Sequence, residues 1–250
     1  MISLAGRAAL VTGGSRGIGR ATALRLAQAG ADVAISYRSR AAEAEAVAAE
    51  IRALGRRVVV FGGDLADPST CDRMADTVGG AFGRLDVFVA NAGIWPAEDV
   101  PLAELSWERW RATMAADLDG LFLSTRAALR IMGEGGRVVL VSSTAGQRGE
   151  AFHADYAATR GAVIALTKSL AIECAPGILV NCVAPGWVDT EMCESAFAGE
   201  GRERVRQTIP LRRIPPPEDI AGPIVFLCSD LARHITGEVL NVNGGSVLCG

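Results

Sequence analysis

"VTGGSRGIG", Val11 to Gly19, is the stretch on which the fold turns. It follows a short apolar run, "AALVT" (Ala8 to Thr12), and opens an amphipathic segment, so its glycines stand where a strand gives way to a helix. Gly13, Gly17 and Gly19 let the backbone turn sharply and come close to a ligand. The helix start beyond them offers unpaired N–H groups and the positive end of a helix dipole, which suit a pyrophosphate. A glycine pattern alone is a weak signal, because any tight turn uses glycine. At the head of a βαβ series it is a strong one.

The rest of the chain supplies that series. Apolar runs predict further strands at Asp32 to Tyr37, Arg57 to Phe61, Asp86 to Ala90, Arg137 to Ser142, Ile178 to Val183 and Glu238 to Val242, seven with the first. Near-continuous Val, Ile and Leu in them means that both faces are buried, as in parallel strands between helix layers. Helices are expected at Gly17 to Ala29, Arg40 to Leu54, Ser69 to Phe82, Ala154 to Cys174 and Pro217 to Ser229, with Ser106 to Met132 forming one long helix or two. Asp67 or Ser69 can cap the third helix, and Pro176-Gly177 stops the one from Ala154. Residues 191–213 are charged, carry Gly199 and Gly201, and contain no strand; they read as a mobile substrate-side excursion.

Bulk properties agree with a single α/β domain over 1–250. Half the residues are hydrophobic, and the formal charge of −3 has both signs interspersed, so no basic face suggests nucleic acid. Cys71, Cys174, Cys182, Cys193, Cys228 and Cys249 form no C-x-x-C pair, which argues against a metal site or disulfide framework and for free buried thiols. The N-terminal stretch has no signal-peptide core, and no apolar run reaches membrane-spanning length, so a cytoplasmic protein is expected.

The glycine spacing is G-x-x-x-G-x-G with Thr12 in front. With "DLAD" (Asp64 to Asp67), "NAG" (Asn91 to Gly93), "SS" (Ser142-Ser143), "PGWVDT" (Pro185 to Thr190) and "GEVLNVNGG" (Gly237 to Gly245), it resembles the short-chain dehydrogenase/reductase family along nearly the whole chain. The resemblance implies a Rossmann-type doubly wound sheet of seven parallel strands flanked by helices, a nicotinamide dinucleotide, and a homodimer or homotetramer. It puts Gly13, Gly17, Ile18 and Gly19 at the cofactor phosphates and ribose, with Ser15 in the same loop. It puts Asp64 and Leu65 at adenine, Asn91, Ala92 and Gly93 along the adenosine ribose, and Pro185, Gly186, Val188 and Thr190 around the nicotinamide. Asn91 and Asp64 are equally good turn-formers. Ala90 stands where the family often has an asparagine, a change that bears on packing more than on chemistry.

NADP(H) is expected over NAD(H). An NAD enzyme places a carboxylate at the end of the second strand, whereas a 2′-phosphate needs cations. That tip reads "SYRSR", Ser36 to Arg40, and Arg16 lies in the glycine loop, so Arg16 and Arg38, with Arg40 nearby, can fork a phosphate. The alternative is that these are solvated surface arginines.

Hydride transfer to a ketone leaves charge growing on its oxygen, so a proton donor and a hydrogen-bonding partner must be aimed there. The family resemblance implies Tyr156 as the acid/base and Ser143, thirteen residues earlier, as the partner of the substrate oxygen. It also implies a lysine four residues after the tyrosine and an asparagine before the fifth strand; here those places hold Arg160 and Asp117. Lys168 cannot substitute, since it lies about 18 Å further along the helix. A cation about 4 Å from a phenol, at an effective dielectric near 20, favours the phenolate by roughly 4 kcal/mol. Arginine keeps that charge on the right face but cannot relay a proton. Its fork also prefers a carboxylate, which predicts an Asp117–Arg160 ion pair that cancels much of the field at Tyr156. The alternative is that Asp117 caps a helix or faces water while Arg160 binds the nicotinamide ribose as the family's lysine would.

Trp95, Gln147, Phe152, His153, Trp187 and Met192 are the candidates for an apolar, aromatic-walled pocket for a medium-sized ketone or alcohol. Each is as readily a core residue, and His153 a surface one.

Overall fold

The computed structural model describes residues 2–249. Seven strands form one sheet: β1 (Ala8–Val11), β2 (Asp32–Tyr37), β3 (Val58–Gly62), β4 (Leu85–Ala90), β5 (Met132–Val141), β6 (Ile178–Pro185) and β7 (Val239–Val242). Their order is β3-β2-β1-β4-β5-β6-β7, and every neighbouring pair is parallel. Among the described residues, ten α-helices connect or follow them: α1 (Gly17–Gln28), α2 (Ala41–Ala53), α3 (Pro68–Phe82), α4 (Trp107–Met114), α5 (Gly120–Ile131), α6 (Thr144–Arg148), α7 (Ala154–Glu173), α8 (Glu194–Phe197), α9 (Gly201–Thr208) and α10 (Pro217–Leu227).

Alternation along each strand divides the core into two layers. Ala9, Val11, Val33, Ile35, Val87, Val89, Val139 and Val141 face one way, onto Leu26 of α1, Ile51 of α2 and Ile224 of α10. Ala8, Leu10, Ala34, Phe88, Val138 and Leu140 face the other way, onto Met74 of α3, Leu121 of α5 and Val163 of α7. Burial on both faces is the physical reason that these strands read as near-continuous apolar runs.

The departures from expectation are local. Asp67, not Ser69, caps α3, accepting from the Ser69 N–H at 3.0 Å, with Pro68 in the first turn. β5 begins at Met132 rather than Arg137; Met132 pairs with Leu85, and the register shifts between Leu85 and Val87. The segment from Ser106 to Met132 is two helices joined by a π-turn at Ala115–Asp119, and Asp117 is the buried residue of that turn. The 191–213 excursion is helical, a 3₁₀ turn at Glu191–Cys193 followed by α8 and α9.

Candidate active site

Strand order reverses between β1 and β4, and crevices form at such a switch beyond the carboxyl ends of the strands. A cleft of about 490 Å³ lies there, from Arg38 and Arg40 past the β2 tip, over the glycine loop, to Tyr156 and the Pro185–Cys193 segment. Gly13, Ser15, Arg16, Gly17, Ile18, Asp64, Leu65, Asn91, Ala92, Gly93, Pro185, Gly186, Val188 and Thr190 all line it.

Gly13 and Gly17 hold positive φ, +66° and +53°. Gly19 lies beneath the loop, where a Cβ would fall on the Gly13 carbonyl and the Asn91 amide, so only glycine lets α1 pack this closely under the turn. α1 has no side-chain cap at Arg16, which leaves its first N–H groups available to an anion. Asn91 is a clamp: its Nδ2 donates to the Thr12 carbonyl at 3.0 Å and the Gly13 carbonyl at 3.3 Å. Asp64 likewise closes a turn, accepting from Ala66 N–H at 3.0 Å. Both still line the cleft.

At the far end, Tyr156 is buried on α7 with Ser143 beside it at the N-terminus of α6. Arg160, one turn further along α7, places its guanidinium 4.8 Å from the Tyr156 ring centroid. The expected ion pair is present: Arg160 Nη2 lies 2.5 Å from Asp117 Oδ2, with both side chains buried. Asp117 Oδ1 accepts from Ile94 N–H at 2.7 Å, and Arg160 Nη1 donates to the Val141 carbonyl at 3.2 Å. Asp117 therefore neither caps a helix nor faces water.

Burial, the largest influence, pushes the Tyr156 phenol above its ordinary pKa, and the Asp117 carboxylate adds to this. Arg160 and the hydrogen bond with Ser143 oppose them without winning. For Arg160, burial works against the charge, but Asp117 and the phenol more than offset it and hold the guanidinium above its ordinary pKa. The cation that faces Tyr156 is thus half of a neutralised pair.

Residues 13–246 match the family model described as enoyl-(acyl carrier protein) reductase. The chain is 41% identical over 252 residues to a 3-oxoacyl-(acyl-carrier-protein) reductase of Synechocystis sp., covering 99% of this chain and all of that protein. It is 42% identical to an L-rhamnose 1-dehydrogenase (NAD(P)(+)) of Sphingomonas sp., covering 97% of this chain and 96% of the other. A crystal structure of a short-chain dehydrogenase from Burkholderia cenocepacia in complex with NADP superposes with a TM-score of 0.92 at 40% identity, covering 97% and 98% of the two chains. The chain belongs to the short-chain dehydrogenase/reductase family.

Within this short-chain dehydrogenase/reductase, three of the substrate-side candidates stand elsewhere. Gln147 Nε2 donates to Asn241 Oδ1 at 2.6 Å, tying α6 to β7 outside the cleft. His153 is buried, not on the surface, and stacks behind Trp95 with ring centroids 4.0 Å apart. Phe152 turns into solvent at a left-handed φ of +65°. Trp95, Trp187 and Met192 do line the cleft, and Trp95 meets the Tyr156 ring edge-on at 4.8 Å.

Other residues were not identified from the sequence. Asp155, fully buried beside Tyr156 in the chain, accepts from Arg109 Nε at 3.1 Å and Thr113 Oγ1 at 2.9 Å, fastening the start of α7 to α4. A carboxylate one residue before the tyrosine was the available signal. Ser142 Oγ donates to the Arg160 carbonyl at 2.7 Å and fixes α7 against the end of β5. Phe197, from the excursion, packs 6.0 Å from Trp187, and nothing in the sequence pattern marked it.

The seat of Arg160 is narrow. A Cβ on Gly93 would fall on the guanidinium and lie 3.2 Å from Asp117 Oδ1. Gly93→Ala is expected to destabilise the protein by about 1–3 kcal/mol through overpacking. Thermal unfolding should show the midpoint falling by roughly 2–12 °C, and an unchanged midpoint would mean that the guanidinium has another place to go.

Proposed function

We propose that the protein is an NADP(H)-dependent oxidoreductase that moves a hydride between the nicotinamide and a ketone or the matching secondary alcohol. The observation that carries this is Tyr156 beside Ser143 on the cleft wall, with a phenol that burial and Asp117 keep protonated. When bound, the reduced dinucleotide supplies the hydride to the carbonyl carbon. Tyr156 Oη gives its proton to the carbonyl oxygen, and the Ser143 hydroxyl donates a hydrogen bond to that oxygen as charge develops.

The residues present fit such a cofactor. The uncapped N-terminus of α1 suits the pyrophosphate, and Arg160, on the cleft wall beside Tyr156, suits the nicotinamide ribose. Arg16, Arg38 and Arg40 at one end of the cleft favour a 2′-phosphate, in keeping with the NADP complex of the Burkholderia cenocepacia relative. The 3-oxoacyl reductase relatives favour a ketone substrate. Phe122 of α5 and Ile172 of α7, 52% and 81% exposed, suit pairing of these helices in a homo-oligomer. Free thiols suit a cytoplasmic setting, and burial pushes the Cys182 and Cys228 thiols up to about 12.

The phenol gives the two directions different pH dependences. Reduction needs Tyr156 protonated and oxidation needs it ionised, so reduction should be insensitive to this group around neutral pH while oxidation climbs only above the ordinary range of a phenol. Profiles of kcat/KM in both directions read this out. An oxidation rate that levels off below about pH 8 would show that Tyr156 ionises easily and that the reading of the ion pair is wrong.

A second reading, a dinucleotide-binding protein with little chemistry, is favoured by the same neutralised Arg160. NADPH absorbance with a panel of ketones, for wild type and Arg160→Lys, separates the two. Cofactor binding without turnover in wild type, and turnover gained in the lysine variant, would support the second.

A further inference from the structure

The excursion starts at Glu191, and its carboxylate occupies an anion's place between two arginines from distant segments. Glu191 Oε2 lies 2.5 Å from Arg16 Nη1 in the glycine loop and 3.5 Å from Arg40 Nη2 beyond the β2 tip. Arg40 also pairs with Glu43 at 2.9 Å, so the two arginines already face two carboxylates. All of these side chains except Glu43 line or border the same end of the cleft as Arg38.

We propose that Glu191 is an internal competitor for the 2′-phosphate of the cofactor: it holds Arg16 and Arg40 in the structure described here, a 2′-phosphorylated dinucleotide displaces it, and a dinucleotide without that phosphate leaves the bridge intact. The inference rests on the reading of this cleft as a dinucleotide site. A carboxylate offers one charge and two oxygens, whereas a phosphomonoester offers up to two charges and three oxygens to the same guanidinium forks. The bridge is half exposed at every member, 47% for Arg16, 49% for Arg40 and 51% for Glu191, so it is weak and easily exchanged.

The exchange has a structural consequence. Met192 and Cys193, next in the chain, line the cleft, and Phe197 packs on Trp187, which meets Trp95 at 6.0 Å, beside Tyr156. Releasing Glu191 removes the tether that fixes the start of this segment to the glycine loop. The presence of one phosphate group is thereby communicated to the wall on the substrate side.

Fluorescence titrations of NADPH and NADH against wild type and Glu191→Gln test this. The variant should bind NADPH about two- to fivefold more tightly and NADH equally well. Limited trypsin digestion at Arg202 to Arg213 adds a second readout. In wild type NADPH should alter the cleavage pattern and NADH should not, while in Glu191→Gln the two cofactors should give the same pattern. Equal tightening for both cofactors, no tightening for either, or a wild-type pattern blind to the phosphate would overturn the proposal. If wild type prefers NADH, the NADP(H) reading fails, and selective tightening of NADPH by the variant still decides the role of Glu191. If wild type binds neither dinucleotide, both readings fall.

Discussion

Tyr156→Phe should lower kcat for ketone reduction about 10²- to 10⁴-fold while leaving NADPH affinity within a few-fold of wild type. The substitution removes one oxygen and nothing else. The ring keeps its edge-on contact with Trp95 at 4.8 Å and its place under the Arg160 guanidinium, so the fold and the glycine-loop end of the cleft are untouched. What disappears is the proton donor and the polar influence of the phenol oxygen on its neighbours Ser143 and Arg160. Steady-state rates beside fluorescence titration separate the two effects. A variant retaining more than about a tenth of the activity would show that another group, or water, delivers the proton.

Asp117→Asn has the largest expected effect on stability, a loss of about 3–5 kcal/mol, because it leaves the buried Arg160 charge without its partner. For a chain of this size the unfolding midpoint should fall by roughly 6–20 °C. The asparagine Oδ1 can still accept from Ile94 N–H, so the loss reports on the ion pair rather than on the loop. The same variant removes a carboxylate that raises the Tyr156 pKa, so the rise in oxidation rate should move to lower pH. Arg160→Lys alone and combined with Asp117→Asn completes a cycle. Strictly additive effects on stability and on the pH profile would show that the two residues act independently.

The strands and most helices were legible because each is a local pattern with one cause. Runs such as "DVAISY" and "DVFVA" are mostly apolar since the sheet buries both faces, and the glycine loop must be glycine where Gly19 passes under Gly13. The ion pair was legible too, since arginine four residues after Tyr156 shares its face and a carboxylate occupies a position expected nearby. The π-turn was not. Nothing in "AADLD" breaks a helical pattern; the turn widens where Asp117 is drawn inward to Ile94 and Arg160. The roles of Gln147 and His153 were hidden for the same reason, since both are decided by partners far off or packed from another element, Asn241 in β7 and Trp95 after β4.

The sequence by itself determined the βα order, the place of the glycine loop, and which side chains are available for acid, cation and carboxylate around Tyr156. Those are properties of spacing, set by the period of a strand, the turn of a helix and the conformations that glycine allows. Only the tertiary structure decided that Arg160 reaches this tyrosine already neutralised, that Asp155 and Arg109 anchor α7, and that Glu191 holds two arginines at one end of the cleft. Charge interactions depend on distance and burial in three dimensions, and the sequence separation of 175 residues between Arg16 and Glu191 carries no trace of the 2.5 Å between their side chains.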